Sequence, residues 1–269
     1  MSKIGEGVDA LFEARITELA KKAERYECAF SAFLTPKEQI IASGILARGR
    51  FEAVSFFYGG YADSERNKLF VLPEYMALEG EPRHAALVEN YGEVLDDAVA
   101  AVKIKGSGYK KLTHRDYLGS LLGLGVEREV IGDIAVVDDF SAVVFCERKM
   151  ADFFAGELKK IGSDTVKTVK FPIPADFTNE RKFQLVSDTV ASPRLDCVVS
   201  ALAGLSREKA RCVITVGDTD LDYFTEEKPD KIVGEGSIIS IRGCGKFRII
   251  SLSEQTKKGR LRLTANKYI

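Results

Sequence analysis

Ile134-Ala-Val-Val-Asp-Asp-Phe-Ser-Ala-Val-Val-Phe-Cys146 holds two short valine-rich runs separated by a pair of aspartates. β-Branched and aromatic side chains suit a pleated surface, and Asp138-Asp139 supplies turn chemistry. The stretch therefore reads as a hairpin with strands over 134–137 and 142–146. Upstream, Thr113 is placed to cap a helix over 113–124, with Asp116 at its third position as a capping-box carboxylate. The glycines at 119, 123 and 125 imply close packing and then a stop at Gly123 or Gly125. A strand over 99–104 precedes that helix. Downstream, residues 150–161 have helical spacing and 166–171 extended spacing.

The resulting order, strand, helix, strand, strand, helix, strand, is the split βαβ pattern of ferredoxin-like (RRM-like) domains, an antiparallel sheet with two helices on one face. Before it, residues 9–27 have helical spacing, Thr35-Pro36 followed by Glu38 marks a second helix start, and runs at 53–58 and 69–72 flank Gly59-Gly60 as a hairpin. Pro172 and Pro174 end the last strand, and 175–182 reads as a linker. The expectation is an α+β chain in three parts: residues 1–76 helical with a hairpin, 77–174 ferredoxin-like, and 183–269 a small C-terminal domain.

The 269 residues are 45% hydrophobic and 29% charged, an ordinary globular composition. Five separated cysteines without a C-x-x-C pair argue against a disulfide framework or zinc ribbon. The acidic residues within positions 1–13 and the absence of any long apolar run predict a cytoplasmic protein without membrane insertion. Net charge is −1, which speaks against a nucleic-acid binder, but the charge is unevenly distributed. Residues 192–269 carry 14 Lys and Arg against 10 Asp and Glu, and 252–269 carry five basic groups against Glu254 alone.

In this basic third, Ser192-Pro193 opens a helix with Leu195, Val198, Val199 and Leu202 on one face, and Gly204 ends it. Ser206 caps a second helix that places Arg207 and Arg211 together at its edge, with Arg194 nearby. Residues 237–250 alternate so that Phe247 and Ile249 face a core while Lys246 and Arg248 face solvent; Leu261 and Leu263 alternate with Arg260 and Arg262 likewise. Guanidinium groups on rigid elements match phosphate oxygens in bidentate fashion, which suits a folded RNA backbone.

The run from Arg194-Leu-Asp196 through Leu205-Ser-Arg207 to Gly217, followed by Gly236-Ser-Ile-Ile-Ser-Ile-Arg-Gly-Cys-Gly-Lys-Phe247, resembles the RNA-binding domain named after small-subunit ribosomal protein S-four. Thr219 and Asp222 stand where that domain usually has valine and asparagine. Leu112-Thr-His-Arg-Asp-Tyr-Leu-Gly-Ser-Leu-Leu-Gly-Leu-Gly-Val126 and Ile131-Gly-Asp-Ile134 resemble the YlmH family of bacterial S-four proteins over most of the chain. The resemblance implies a cytoplasmic protein that binds large-subunit ribosomal RNA, with tRNA as a further partner, in the rescue of subunits blocked by peptidyl-tRNA. Arg194, Arg207, Arg211, Lys246 and Arg248 would face RNA, and Lys209, Arg242, Arg260 and Arg262 complete the candidate set. Replacing Arg207 and Arg211 by glutamate should abolish subunit association with folding intact.

Competing motifs are weaker. His114-Arg115-Asp116 lacks the other parts of a kinase catalytic loop, and Gly106-Ser-Gly108 with Lys110-Lys111 lacks the remaining P-loop spacing and reads as a flexible connection. Asp196, in an Arg-Leu-Asp context similar to that of pseudouridine synthases, reads as a first-turn carboxylate favoured by the helix dipole. Tyr58 and Phe140 as base-stacking aromatics are outweighed by core roles. Two histidines without a carboxylate cluster suggest no metal site, and no catalytic residue, cofactor or small-molecule substrate is indicated. The expectation is binding and not catalysis; the alternatives are an RNA-modifying enzyme that docks its substrate through the C-terminal domain, and a protein-binding adaptor.

Overall fold

The computed structural model describes residues 10–80, 83–179, 181–252 and 259–269. Part of the acidic N-terminal stretch and part of the basic run near the C-terminus, Lys257 and Lys258 included, lie outside these residues. The chain is α+β and divides into two compact units, Met1–Asn179 and Glu180–Ile269.

The first unit opens with α1 (Ala10–Glu24), β1 (Ala29–Leu34), α2 (Pro36–Gly49), β2 (Ala53–Tyr58) and β3 (Asn67–Pro73). The strands form an antiparallel sheet in the order β1-β3-β2. The hairpin expected at 53–58 and 69–72 is present; β1 joins it as a third strand that its short sequence, Ala-Phe-Ser-Ala-Phe-Leu, did not announce. The start of α2 is a full capping box, in which the Thr35 N–H donates to Glu38 Oε2 at 2.6 Å. Helices α1 and α2 bury Ile16, Ala20 and Ile45 against Leu34, Leu69 and Val71 of this sheet.

Then follow α3 (His84–Ala98), β4 (Val99–Lys105), α4 (His114–Leu122), β5 (Ile131–Asp138), β6 (Ser141–Glu147), α5 (Ala151–Glu157), the two-residue strands β7 (Lys160–Ile161) and β8 (Asp164–Thr165), and β9 (Lys167–Phe171). β5-β6-β4-β9 is a four-stranded sheet, antiparallel at every pairing. The capping box at α4 is as the sequence predicts, with the Thr113 N–H donating to Asp116 at 2.8 Å, and the helix stops at Gly123. The helix expected over 150–161 is shorter, because Gly162 at φ +56° turns the chain into the β7–β8 hairpin. Residues 106–108 are not a loose connection: Gly106 N donates to Phe140 O at 2.7 Å, and Ser107 bonds Asp164 through both its N–H and its hydroxyl.

β6 is buried on both faces throughout, and β4 over Val99–Val102, which is why those stretches read as near-continuous apolar runs. Val102, Ile104, Val144 and Cys146 meet Tyr117, Leu121 and Phe154 of α4 and α5. Val99, Ala101, Val143 and Phe145 point the other way, into a core with Phe56, Phe70 and the α3 residues Leu87, Tyr91 and Leu95. Tyr58 belongs to that core, stacked on His84 with centroids 5.3 Å apart, so it offers no ring to a base.

The second unit comprises β10 (Phe183–Val190), α6 (Leu195–Ala203), α7 (Arg207–Thr215), β11 (Thr219–Leu221), β12 (Phe224–Thr225), β13 (Ile238–Ile241), β14 (Gly245–Ser251) and β15 (Leu261–Tyr268). Its six-stranded sheet runs β10-β15-β14-β13-β11-β12, antiparallel throughout. Residues 237–250 fold as a hairpin turning at Arg242-Gly243-Cys244. Leu195, Val198, Val199, Ala210 and Ile214 of the helices bury one face of the sheet through Phe247, Ile249, Leu263 and Ala265.

Candidate nucleic-acid interface

α6 and α7 form a tight pair. Gly204 at φ +63° closes α6, and Ser206 accepts from the Lys209 N–H at 3.3 Å to start α7. The N-terminus of α6 is satisfied by a neighbouring loop and not by Ser192 or Pro193: Leu195 N donates to Lys231 O at 2.8 Å and Asp196 N to Pro229 O at 2.9 Å, with Arg194 in the N-cap position.

This places Asp196 under two arginines. Its side chain is 0% exposed, and it accepts from Arg194 Nε at 3.3 Å and Arg207 Nε at 3.2 Å. Burial pushes the carboxyl pKa up, but the hydrogen bonds from Arg194 and Arg207 outweigh this and hold it below the usual aspartate value. The same bond to Asp196 raises Arg207 above its ordinary value. Asp196 is thus more than a first-turn carboxylate: it fixes two guanidinium groups at the mouth of an open cleft that Arg194, Arg207, Glu208 and Arg211 share. Arg211 makes no ion pair among the described residues, so its guanidinium faces solvent on this cleft. On its other side Arg207 lines a second cleft with Arg260, Ser200 and Asp188, and Arg260 donates there to Thr189 O.

The remaining candidates lie elsewhere. Lys209 is exposed on α7 outside the cleft. Arg242, in the β13–β14 turn, is held by Asp218 at 3.1 Å. Lys246, Arg248 and Arg262 alternate with Phe247, Ile249 and Leu263, so they project from the face of the sheet opposite α6 and α7. Of the three aspartates after α7, Asp218 pairs with Arg242, Asp220 accepts from Thr225 at 3.0 Å, and Asp222 accepts from Ile238 N at 2.8 Å. Each is tied into the β11–β13 framework. The paired change Arg207→Glu and Arg211→Glu is expected to cost stability as well as binding, because it takes one of the two arginine partners from buried Asp196.

Among the described residues, no helix is long and apolar enough to cross a membrane, and no group of three or more His, Cys, Asp or Glu is arranged to hold a metal ion.

A family model described as "Putative RNA-binding domain in YlmH" matches residues 96–174. The chain is 29% identical over 242 residues, 90% of its own length and 88% of the relative's, to "Ribosome-associated protein quality control protein P2" of Bacillus subtilis (strain 168). Both likenesses support the YlmH family for this chain. A solved structure titled "Cell division protein ylmH from Streptococcus pneumoniae" has a TM-score of 0.49 and 20% identity, covering 64% of this chain and 98% of that one. The family match falls on the β4-to-β9 segment and the strand end that follows it, whereas the arginine cleft lies in the second unit.

Proposed function

We propose that this chain is a YlmH-family, cytoplasmic RNA-binding protein of ribosome-associated quality control, acting by binding and not by catalysis on large-subunit ribosomal RNA, with tRNA as a second ligand. The observation that carries this is the buried Asp196 holding Arg194 and Arg207 on the cleft that Arg211 completes. A guanidinium fixed from behind keeps outward N–H groups for phosphate and loses little side-chain entropy when it binds. The printed name of the Bacillus relative and the description of the family model support the same reading.

Within it, the unit from residue 183 onward is an S-four-type domain. Its support is the helix pair, the arginine rim and the β13–β14 hairpin in the order the sequence resemblance requires. Residues 77–174 are a ferredoxin-like part, supported by the sheet order β5-β6-β4-β9 with α4 and α5 packed together on one face, and residues 1–76 serve as its structural partner. The other face of that sheet, which RNA-recognition domains of this type use for stacking bases, is occupied here by the core around Phe56 and Tyr91. RNA recognition is therefore assigned first to the C-terminal unit, with Lys209, Arg242, Lys246, Arg248, Arg260 and Arg262 as further phosphate contacts.

Gradient co-sedimentation with large subunits tests this. Arg211→Glu should displace the protein from the subunit peak while its thermal midpoint stays that of the wild type. Retained co-sedimentation would overturn the cleft as the RNA site.

A further inference from the structure

The second unit's sheet has two unlike faces. One is buried under α6 and α7. On the other, register brings together Phe183 opposite Tyr268, and Leu185 opposite Asn266, which is itself opposite Arg248. Lys246 is two residues from Arg248 on the same strand and so shares its face. The Phe183 and Tyr268 rings meet edge to face at 5.0 Å, and Lys246 Nζ lies 4.8 Å from the Tyr268 ring centroid and 5.2 Å from that of Tyr223. Arg262, opposite Thr189, extends the same face.

Two features set this surface apart from an ordinary solvated sheet. Phe183 is 42% and Leu185 66% exposed on β10, the outer strand of the sheet among the described residues; an apolar, exposed edge strand invites aggregation unless something covers it. Tyr223 sits at φ +70° in the two-residue turn between β11 and β12, a position that favours glycine or asparagine, and there its ring lies beside Lys246. The face is also basic: Lys246 and Arg248 lie near the rings, Arg262 lies farther along β15 on the same face, and Asp220 stands on the far side of Ser240, toward the β11–β12 edge. An exposed Phe183 ring beside a half-buried Tyr268 ring, both flanked by cations, offers what single-stranded nucleic acid requires, since every base has a face to stack and every linkage a charge to neutralise.

We infer that this face is a second RNA surface, distinct from the arginine cleft, on which unpaired bases stack on Tyr268 and Phe183 while Lys246, Arg248 and Arg262 hold the backbone. The inference rests on the RNA-binding reading above and deepens it. The cleft takes folded RNA, and the sheet takes a single strand leading to or from it.

The test uses the full chain and an oligoadenylate of about 12 nucleotides, within the span such surfaces cover. Titration should shift the ring resonances of Tyr268 and Phe183 in the wild type, a readout that needs no variant. Tyr268→Ala and Phe183→Ala should each weaken oligoadenylate binding about fivefold or more. Tyr268→Phe should retain it, and Arg211→Glu should leave it unchanged while losing subunit association. Unmoved ring resonances, ring variants that bind like the wild type, or loss of oligoadenylate in Arg211→Glu alone would each overturn the second surface and leave the cleft standing. A nuclease-resistant protein partner that displaces oligoadenylate and depends on the same rings would also overturn it, by assigning the face to protein. Failure of the wild type to bind either oligoadenylate or subunits would bring down the RNA reading itself.

Discussion

A buried carboxylate shared by two surface arginines is the main device of the proposed site. Arg194 and Arg207 are partly exposed, so each ion pair alone would contribute little; burial of Asp196 makes the arrangement specific. Asp196→Asn keeps the volume but removes the charge, and at neutral pH it should destabilise the second unit by about 1.5–3 kcal/mol, the range for hydrogen bonds to charged groups. The pH dependence follows from the sign of the shift. The folded pKa of Asp196 lies below its ordinary value, so its stabilisation is complete above the unfolded pKa near 4 and is lost as pH falls through the folded value. The gap between wild type and Asp196→Asn in chemical denaturation should therefore narrow on going from neutral pH to strong acid. An equal gap at both extremes would show that the carboxylate's charge contributes nothing. The Arg-Leu-Asp triplet was legible in the sequence, but its burial was not, since nothing in residues 194–196 announces that 229–233 will close over the start of α6.

Between elements, the N-terminal and central sheets are joined by a charged pair inside a largely apolar region. Lys68 on β3 is 1% exposed, lies 3.1 Å from Glu147 at the end of β6, and sits over the Phe30 and Phe33 rings. Burial pulls the Lys68 pKa below its ordinary value even with the Glu147 carboxylate beside it. Glu147→Gln removes the compensating charge and should cost about 3–5 kcal/mol, whereas Lys68→Met with Glu147→Gln should recover most of that loss, because a paired desolvation cost disappears with the pair. Equal instability of the single and double variants in urea denaturation would refute the coupling. At this scale the sequence was informative where one periodicity dominated. The helix starts at Thr35 and Thr113 and the strands β4 and β6 were legible from their caps and apolar runs. Helix α3 is marked in the sequence only by the stripe Leu87, Tyr91, Leu95 and Ala98, and its backbone kinks at Tyr91, where φ reaches −122°. β10, just past the linker expected over 175–182, carries no clean alternation to mark it as a strand, because it is an edge strand exposed along most of both faces.

At the scale of the whole molecule, the two units have separate cores, with Leu195, Phe247 and Leu263 in one and Phe70, Leu95 and Phe145 in the other. Residues 180–269 expressed alone should consequently unfold cooperatively as a single transition, and a gradual loss of circular dichroism on heating would contradict this. The same fragment should retain RNA binding that falls steeply with salt, the logarithmic slope decreasing by about one unit in Arg211→Glu. A formal charge of −1 hides this, because the sum over the chain averages a basic C-terminal third against two acidic ones.

The sequence by itself determined the α+β class, the strand-helix order from 99 to 171, the helix pair and the identity of the cations, because these depend on local periodicity, caps and turn residues. Tertiary structure alone decided that Asp196 is buried beneath Arg194 and Arg207, that β6 at the centre of the four-stranded sheet is covered on both faces, and that Lys246, Arg248 and Arg262 share the sheet face of Phe183 and Tyr268, away from the helix-pair arginines. Those facts depend on which distant segments pack together. Side-chain chemistry along the chain says what a residue can do, but only long-range strand register and burial say which residues act on the same surface.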